Sequence, residues 1–162
     1  TMSAVAEQIS SNVSPLIEDM ILIQNHLAAY CHAVDRGTLN QVAALFHENA
    51  VMTPAYEGGA PLDGRDAIRG WYANYNTYYR SDQVQHLRHQ ITTPSIQVTG
   101  DEATSSCYFD ADLLDLEKKE SIRVYGRYDD KLVKEDGCWY FMDRVIHGYY
   151  AYPITEYQMM EG

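Results

Sequence analysis

The sequence predicts an α+β fold, on three observations. Helix-period apolar patterns fill the first half and stop near residue 79. Every segment beyond about residue 84 alternates as a strand does, and the turn signals between them, Gly100-Asp101 and Asp136-Gly137, are short enough to join antiparallel neighbours. At 162 residues, 46% hydrophobic and 22% charged, the chain has room for a single domain with a sizeable core.

Residues 1–13 are small and polar and are expected to be frayed or disordered. The first helix is expected to open at Ser14-Pro15, with Ser14 as N-cap, Pro15 in the first turn and Glu18 and Asp19 near the positive end of the dipole. Met20, Ile23, Leu27, Tyr30, Cys31 and Val34 recur at steps of three and four, which makes an amphipathic helix. Asp35-Arg36-Gly37 ends it, with Gly37 available for a left-handed cap. Thr38 or Asn40 can cap a short second helix carrying Val42, Leu45 and Phe46, and Val51 to Pro54 reads as a short strand.

The stretch from Glu57 to Pro61 is a loop whose glycines match no phosphate-binding fingerprint. A third helix is expected over Arg65 to Tyr79, with Ile68, Trp71, Tyr72 and Tyr75 on one side. Strands follow over 84–98, 103–114, 121–133 and 139–150, with the charged run 117–120 as a solvated hairpin loop. The domain is thus placed at 14–152, leaving 153–162 as a tail available to a subunit interface.

The net charge of −11 argues against nucleic acid or an anionic membrane surface as partner. No apolar run approaches the roughly 20 residues a bilayer span needs. Three widely spaced cysteines, Cys31, Cys107 and Cys138, form no CxxC pair and read as reduced thiols of a cytoplasmic protein. The histidines show no metal-ligand spacing, so no built-in metal site is expected, and nucleophile-elbow, dinucleotide and Walker motifs are missing.

Candidates for chemistry are few. Asp35 lies on the last turn of the first helix, near the buried stripe, at the negative end of the dipole. It suits a general base or a partner for histidine, and its place before Gly37 also suits a cap for the turn into the second helix, a common job for Asp there. Alternation places Leu87, His89 and Ile91 on one face of a strand, so His89 points inward, either to a backbone carbonyl or into a site. Together the two can form a carboxylate–imidazole pair. Tyr30, on the same stripe as Asp35, is either a core aromatic or a phenol for a ligand oxygen. Arg144, His147, Trp71 and Tyr56 are taken as substrate-binding candidates, with Tyr149, Tyr150 and Tyr152 near the pocket or a subunit contact. Fourteen tyrosines suit both a sheet core and a pocket for ring-shaped ligands.

Several segments carry a resemblance. YCHAVDRGTLNQVAALFHENA (30–50), LDGRDAI (62–68), RHQITTP (88–94) with GDEA (100–103), and GRYDDKL (126–132) with DGCW (136–139) resemble SnoaL-like domains of the nuclear-transport-factor-2-like superfamily. The pattern is most similar to the branch holding scytalone dehydratase, hexachlorocyclohexane dehydrochlorinase and bile acid 7α-dehydratase. The resemblance implies a cone-shaped α+β barrel, three N-terminal helices packed on a strongly curved antiparallel sheet, and a homo-dimer or homo-trimer. It also implies a lyase without metal or organic cofactor, of dehydratase type, acting on an apolar cyclic small molecule. Asp35 and His89 match the family's acid/base pair, and Tyr30 matches the tyrosine of the bile acid enzyme. That enzyme's late-strand arginine falls near Gly148, so Arg144 or His147 would have to stand in for it. An isomerase or polyketide-type cyclase would use the same base, and a ligand-binding or accessory subunit is the reading from another class.

Overall fold

The structure, a computed structural model, describes residues 2–160, with backbone alone for residues 2–14 and for Glu57. Helix α1 (Met2–Arg36) and helix α2 (Leu39–Ala43) lead into strand β1 (Phe46–Pro54), a single 3-10 turn (Ala55–Glu57) and the short strand β2 (Leu62–Asp63). Helix α3 (Arg65–Tyr79) then precedes four long strands, β3 (Val84–Thr99), β4 (Glu102–Asp115), β5 (Glu120–Glu135) and β6 (Cys138–Ile154). No helix among the described residues is long and apolar enough to cross a membrane.

Some boundaries differ from expectation. α1 carries Pro15 inside it, so the helix does not start at Ser14-Pro15. The frayed segment expected over 1–13 falls on Thr1, which lies outside the described residues, and on residues described in backbone alone. Phe46 opens β1 instead of ending α2, because the helix already closes at Ala44 and the buried Phe46 ring is needed against Phe141, 5.3 Å away. Gly37 is not left-handed. A Cβ there would lie 2.8 Å from the Ala33 Cα, so close approach to the helix backbone is what requires glycine.

The strands form one curved, open sheet in the order β2-β1-β6-β5-β4-β3. All neighbours are antiparallel except β1 and β6, which run parallel, so the sheet is mixed where an antiparallel one was expected. The physical reason is connectivity: β1 reaches the sheet before α3 and enters beside the last strand, without a hairpin to reverse it. The Asp136-Gly137 turn has both residues at positive φ, 50° and 79°, the geometry whose twist suits a two-residue hairpin.

Helix α1 lies on the concave face through Ile23, Leu27, Tyr30, Cys31 and Val34, all buried. Two carboxylates tie it down, one at its middle and one on its last turn. Asp19 accepts from Lys134 Nζ (2.9 Å) and Trp139 Nε1 (3.0 Å) on the β5–β6 hairpin. The Lys134 bond holds the Asp19 carboxyl below its ordinary range, outweighing partial loss of water, and Trp139 adds to it. Asp35 makes the other attachment, to β3.

Strand β3 is interrupted by two irregularities, between Gln85 and Arg88 and between Thr92 and Ser95, marked by positive φ at His86 (58°) and Thr93 (55°). Bulges of this kind bend and re-aim a strand. Between them Arg88 to Thr92 stays in register with Asp112 to Tyr108, placing His89 opposite Ala111. Leu87, His89 and Ile91 are the partly buried residues of that stretch and His86 is exposed, as the alternation predicts.

The end of α3, the start of β3 and the β4–β5 turn converge on one side chain. Asp115 accepts from Tyr78 Oη (2.7 Å), from Gln83 Nε2 (3.0 Å) and from the backbone amides of Glu117 (3.1 Å) and Lys118 (3.0 Å). Loss of water alone would raise its pKa, but these donors outweigh it and bring the carboxyl down to about 2. A depressed carboxyl pKa contributes stability that is present above the unfolded value and is lost as pH falls through the folded one. Asp115→Ala is therefore expected to lower the melting temperature at pH 7, with the gap to wild type narrowing between pH 4 and pH 2. Thermal melts followed by circular dichroism across that range check it.

Candidate active site

The last turn of α1 and the mid-section of β3 bring Asp35 and His89 together. His89 Nδ1 lies 2.5 Å from Asp35 Oδ1, and the His89 backbone N–H donates to Asp35 Oδ2 at 2.9 Å. One carboxylate thus grips both ring and backbone of the same residue, which fixes where the ring points. Both side chains are about nine-tenths buried, at 9% and 10% exposure. With Nδ1–H donated to the carboxylate, Nε2 is left as the nitrogen with a free lone pair.

Asp35 is released from capping because Thr38 does that work. Thr38 Oγ1 accepts from the Gln41 amide (3.1 Å), and Gln41 Oε1 accepts from the Thr38 amide (2.9 Å), a complete capping box for α2.

His89 lines a cavity of about 380 Å³ between α3 and the concave face of the sheet. One wall is an aromatic column on α3: Trp71 stacks on Tyr75 (5.5 Å, 28°) and Tyr75 on Tyr79 (4.0 Å, 17°). The facing wall carries Phe109 stacked on Tyr128 (4.3 Å, 10°). Gly126, between these strands, makes that stack possible, since a Cβ there would come within 2.4 Å of the Phe109 ring. Tyr56, Gly148, Tyr149 and Tyr150 lie at the mouth. Behind the dyad is an open groove, lined by Asp35 and the far side of His89 together with His32 and Arg36.

Tyr30 also lines the cavity. Its hydroxyl is hydrogen-bonded to that of Tyr72, which donates in turn to Met52 Sδ (3.6 Å). Burial raises the Tyr30 pKa, partly countered by the Arg144 charge and the Tyr72 bond, and burial raises Tyr72 well above the ordinary phenol value. Both phenols are therefore protonated donors at neutral pH.

Two expected substrate contacts are corrected. Arg144 does not reach the cavity. Its guanidinium is fully buried, donating to Asp130 through Nε (2.7 Å) and Nη2 (2.9 Å), with the rings of Tyr30, Tyr128 and Phe141 at 4.1, 4.1 and 4.0 Å. Tyr30 and Tyr128 line the cavity, so the arginine lies beneath its floor. His147 sits one residue off the inward parity of Ile146 and Gly148, and its Nε2 pairs with Asp129 at 3.0 Å on the other face of the sheet. Trp71 and Tyr56 are on the cavity wall; Tyr149 and Tyr150 line it and Tyr152 does not.

The sequence reading missed Phe109, Tyr128 and Tyr79 as cavity residues and Tyr72 as the partner of Tyr30. Gly126 inside a strand was the available signal for the first two. Among the described residues, no group of three or more His, Cys, Asp or Glu side chains is placed to hold a metal ion.

A helix-backed curved sheet around an apolar cavity, with an imidazole in its wall held from behind by a carboxylate, defines the class of small cavity-bearing α+β domains. A family profile described as "SnoaL-like domain" matches residues 16–145, and the chain belongs to that family. No curated protein sequence matches it significantly. Among solved structures it is similar to hexachlorocyclohexane dehydrochlorinase LinA-type3 from Novosphingobium barchaimii (17% identity, TM-score 0.74, covering 90% of this chain and 97% of that one). It is also similar to a proposed scytalone dehydratase from Novosphingobium aromaticivorans (24% identity, TM-score 0.72, 89% and 91% covered). A third is Aln2 from a Streptomyces species (22% identity, TM-score 0.70, 81% and 91% covered). At these identities the likeness is one of fold.

Removing one member of a buried ion pair strands the other charge, which costs about 3–5 kcal/mol. Asp130→Ala is therefore expected to lose stability on that scale, and the double variant Asp130→Leu/Arg144→Met to recover most of it. Urea unfolding of the three proteins checks this.

Proposed function

We infer that the protein is a cofactor-free lyase carrying out a dehydratase-type elimination on an apolar cyclic small molecule. The observation that carries this reading is His89, locked through Nδ1 to Asp35 and lying on the wall of an aromatic-lined cavity. His89 Nε2 takes the proton from a carbon next to an activating group. The C–H electrons form the new double bond as the C–O bond breaks, and the departing oxygen takes the Tyr30 proton and leaves as water. Asp35 acts through His89 as a positioning residue, holding the tautomer and stabilising the imidazolium. Tyr72 stands behind Tyr30 and, by turning its one O–H from Met52 Sδ, donates to the phenolate oxygen left behind.

The apolar walls favour a ring system over a charged metabolite and keep water from competing for the proton. The dehydratase and dehydrochlorinase names of the solved neighbours agree with an elimination.

The test is turnover of a panel of cyclic β-hydroxy ketones, followed by growth of enone absorbance. His89→Ala is expected to lower kcat by ~10²–10⁴-fold. Asp35→Asn is expected to fall by about 10²-fold or more, with both variants still folded by circular dichroism but at lowered melting temperatures, since the same contact ties α1 to β3. Product of unchanged mass with a shifted double bond would place the same base in an isomerase. Turnover undiminished in His89→Ala overturns His89 as the base, and ligand bound without turnover removes the lyase reading and leaves a binding module.

A further inference from the structure

The cavity mouth contains a glycine whose missing side chain has a defined occupant. Gly148, on β6, is exposed at the mouth and has an ordinary backbone, with no positive φ. A Cβ built there would stand 2.8 Å from Tyr56 Cβ, 3.4 Å from its Cγ and 3.6 Å from its Cδ1. The obstacle is the root of the Tyr56 side chain, not its flexible tip, so any larger residue at 148 must move the turn that carries Tyr56 or push the ring aside. Backbone preference gives no reason for glycine here; the tyrosine does.

Tyr56 lies on the 3-10 turn (Ala55–Glu57), which is followed by two left-handed glycines, Gly58 (φ 96°) and Gly59 (φ 74°). It is 48% exposed on one side and lines the cavity on the other, the disposition of a roof. Across the cavity from it stands the aromatic column of α3, whose Trp71, Tyr75 and Tyr79 line the same space. On the strand side, the bulge that pairs Tyr125 with Tyr150 but Gly126 with Gly148 leaves Tyr149 as the extra residue. Tyr149 turns to accept from Arg127 Nη1 (2.9 Å) and leaves the space above Gly148 to Tyr56.

We propose that Tyr56 is the specificity-determining residue of the cavity, a roof that limits the size of the ring system admitted, and that glycine at 148 is what seats it. The inference rests on the cavity being the ligand site, and it adds the substrate class: flat ring systems, the smaller favoured over the larger while Tyr56 roofs the mouth.

The test uses the full chain with Tyr56→Gly, Gly148→Ala and the double variant. Two readouts are taken: acrylamide quenching of Trp71 fluorescence, and dissociation constants for 2-naphthol and 1-hydroxypyrene. Trp139, 5% exposed, contributes a nearly constant background to the first. Both single variants are expected to shift quenching towards that of free N-acetyltryptophanamide. Both should also improve the affinity for 1-hydroxypyrene relative to 2-naphthol by about tenfold or more. The double variant should go no further than Tyr56→Gly, because the alanine then has nothing to displace.

Wild-type quenching in Gly148→Ala, or effects that simply add in the double variant, overturns the proposal. Should Gly148→Ala not fold, Tyr56→Gly decides alone, and unchanged quenching with unchanged selectivity overturns it. If neither probe binds any variant while quenching shifts as stated, the roof stands and the cavity as a ring-binding site falls.

Discussion

Beneath the cavity floor, the guanidinium of Arg144 is held edge-on by Asp130 and face-on by three aromatic rings. A charge taken fully out of water needs a counter-charge and polarisable neighbours. Here β5 supplies the carboxylate to Nε and Nη2 while α1, β5 and β6 supply the rings, with Nη1 left without a hydrogen-bond partner among the described residues. The three elements that build the cavity floor meet at this cation. Tyr30 and Tyr128 each have one face against it and an edge in the cavity, so the arginine sets the depth at which the floor lies. The charge of the arginine below the floor is balanced by Asp130 and not by a group in the cavity.

Two further constraints shape the space above that floor. Gly126 lets the Phe109 ring cross the sheet and stack on Tyr128, and Gly148 leaves room for Tyr56 at the mouth. In both places the cavity is shaped by an absent side chain on one strand and a ring from elsewhere that takes its place. The dyad forms the remaining side. Its tight geometry comes from the bulges of β3, which turn His89 inward just where α1 ends. The carboxylate that fastens the end of the helix is the same one that orients the imidazole.

How much of this was legible in the sequence depends on the range of the interaction. Periodicity alone put Tyr30 and Val34 on the buried stripe and His89 on the inward face, because each of those facts is local to one element. The contact between Asp35 and His89 was expected only through the family resemblance, since nothing in either segment encodes the other's position. Arg144 shares the inward parity of Ile146 and Gly148, and parity cannot separate a residue that faces a cavity from one sealed under it. His147 failed for the simplest reason, an alternation of two in which it falls on the other face. Asp115 and the parallel pairing of β1 with β6 left no local mark, because they join segments from distant parts of the chain.

That last pairing has a consequence for how the molecule comes together. β6 lies inside the sheet, between β5 and β1, so Phe46 finds its partner Phe141 only after some ninety intervening residues have been made. β3 to β6 form a meander of adjacent pairings that can close in sequence, each with a short loop to bring together. β1 cannot take its place beside β6 until β6 is laid down, so this pairing closes the longest loop in the sheet. Until then Phe46 and Met52 lack their neighbours on β6 and have only α1 and α3 to pack against.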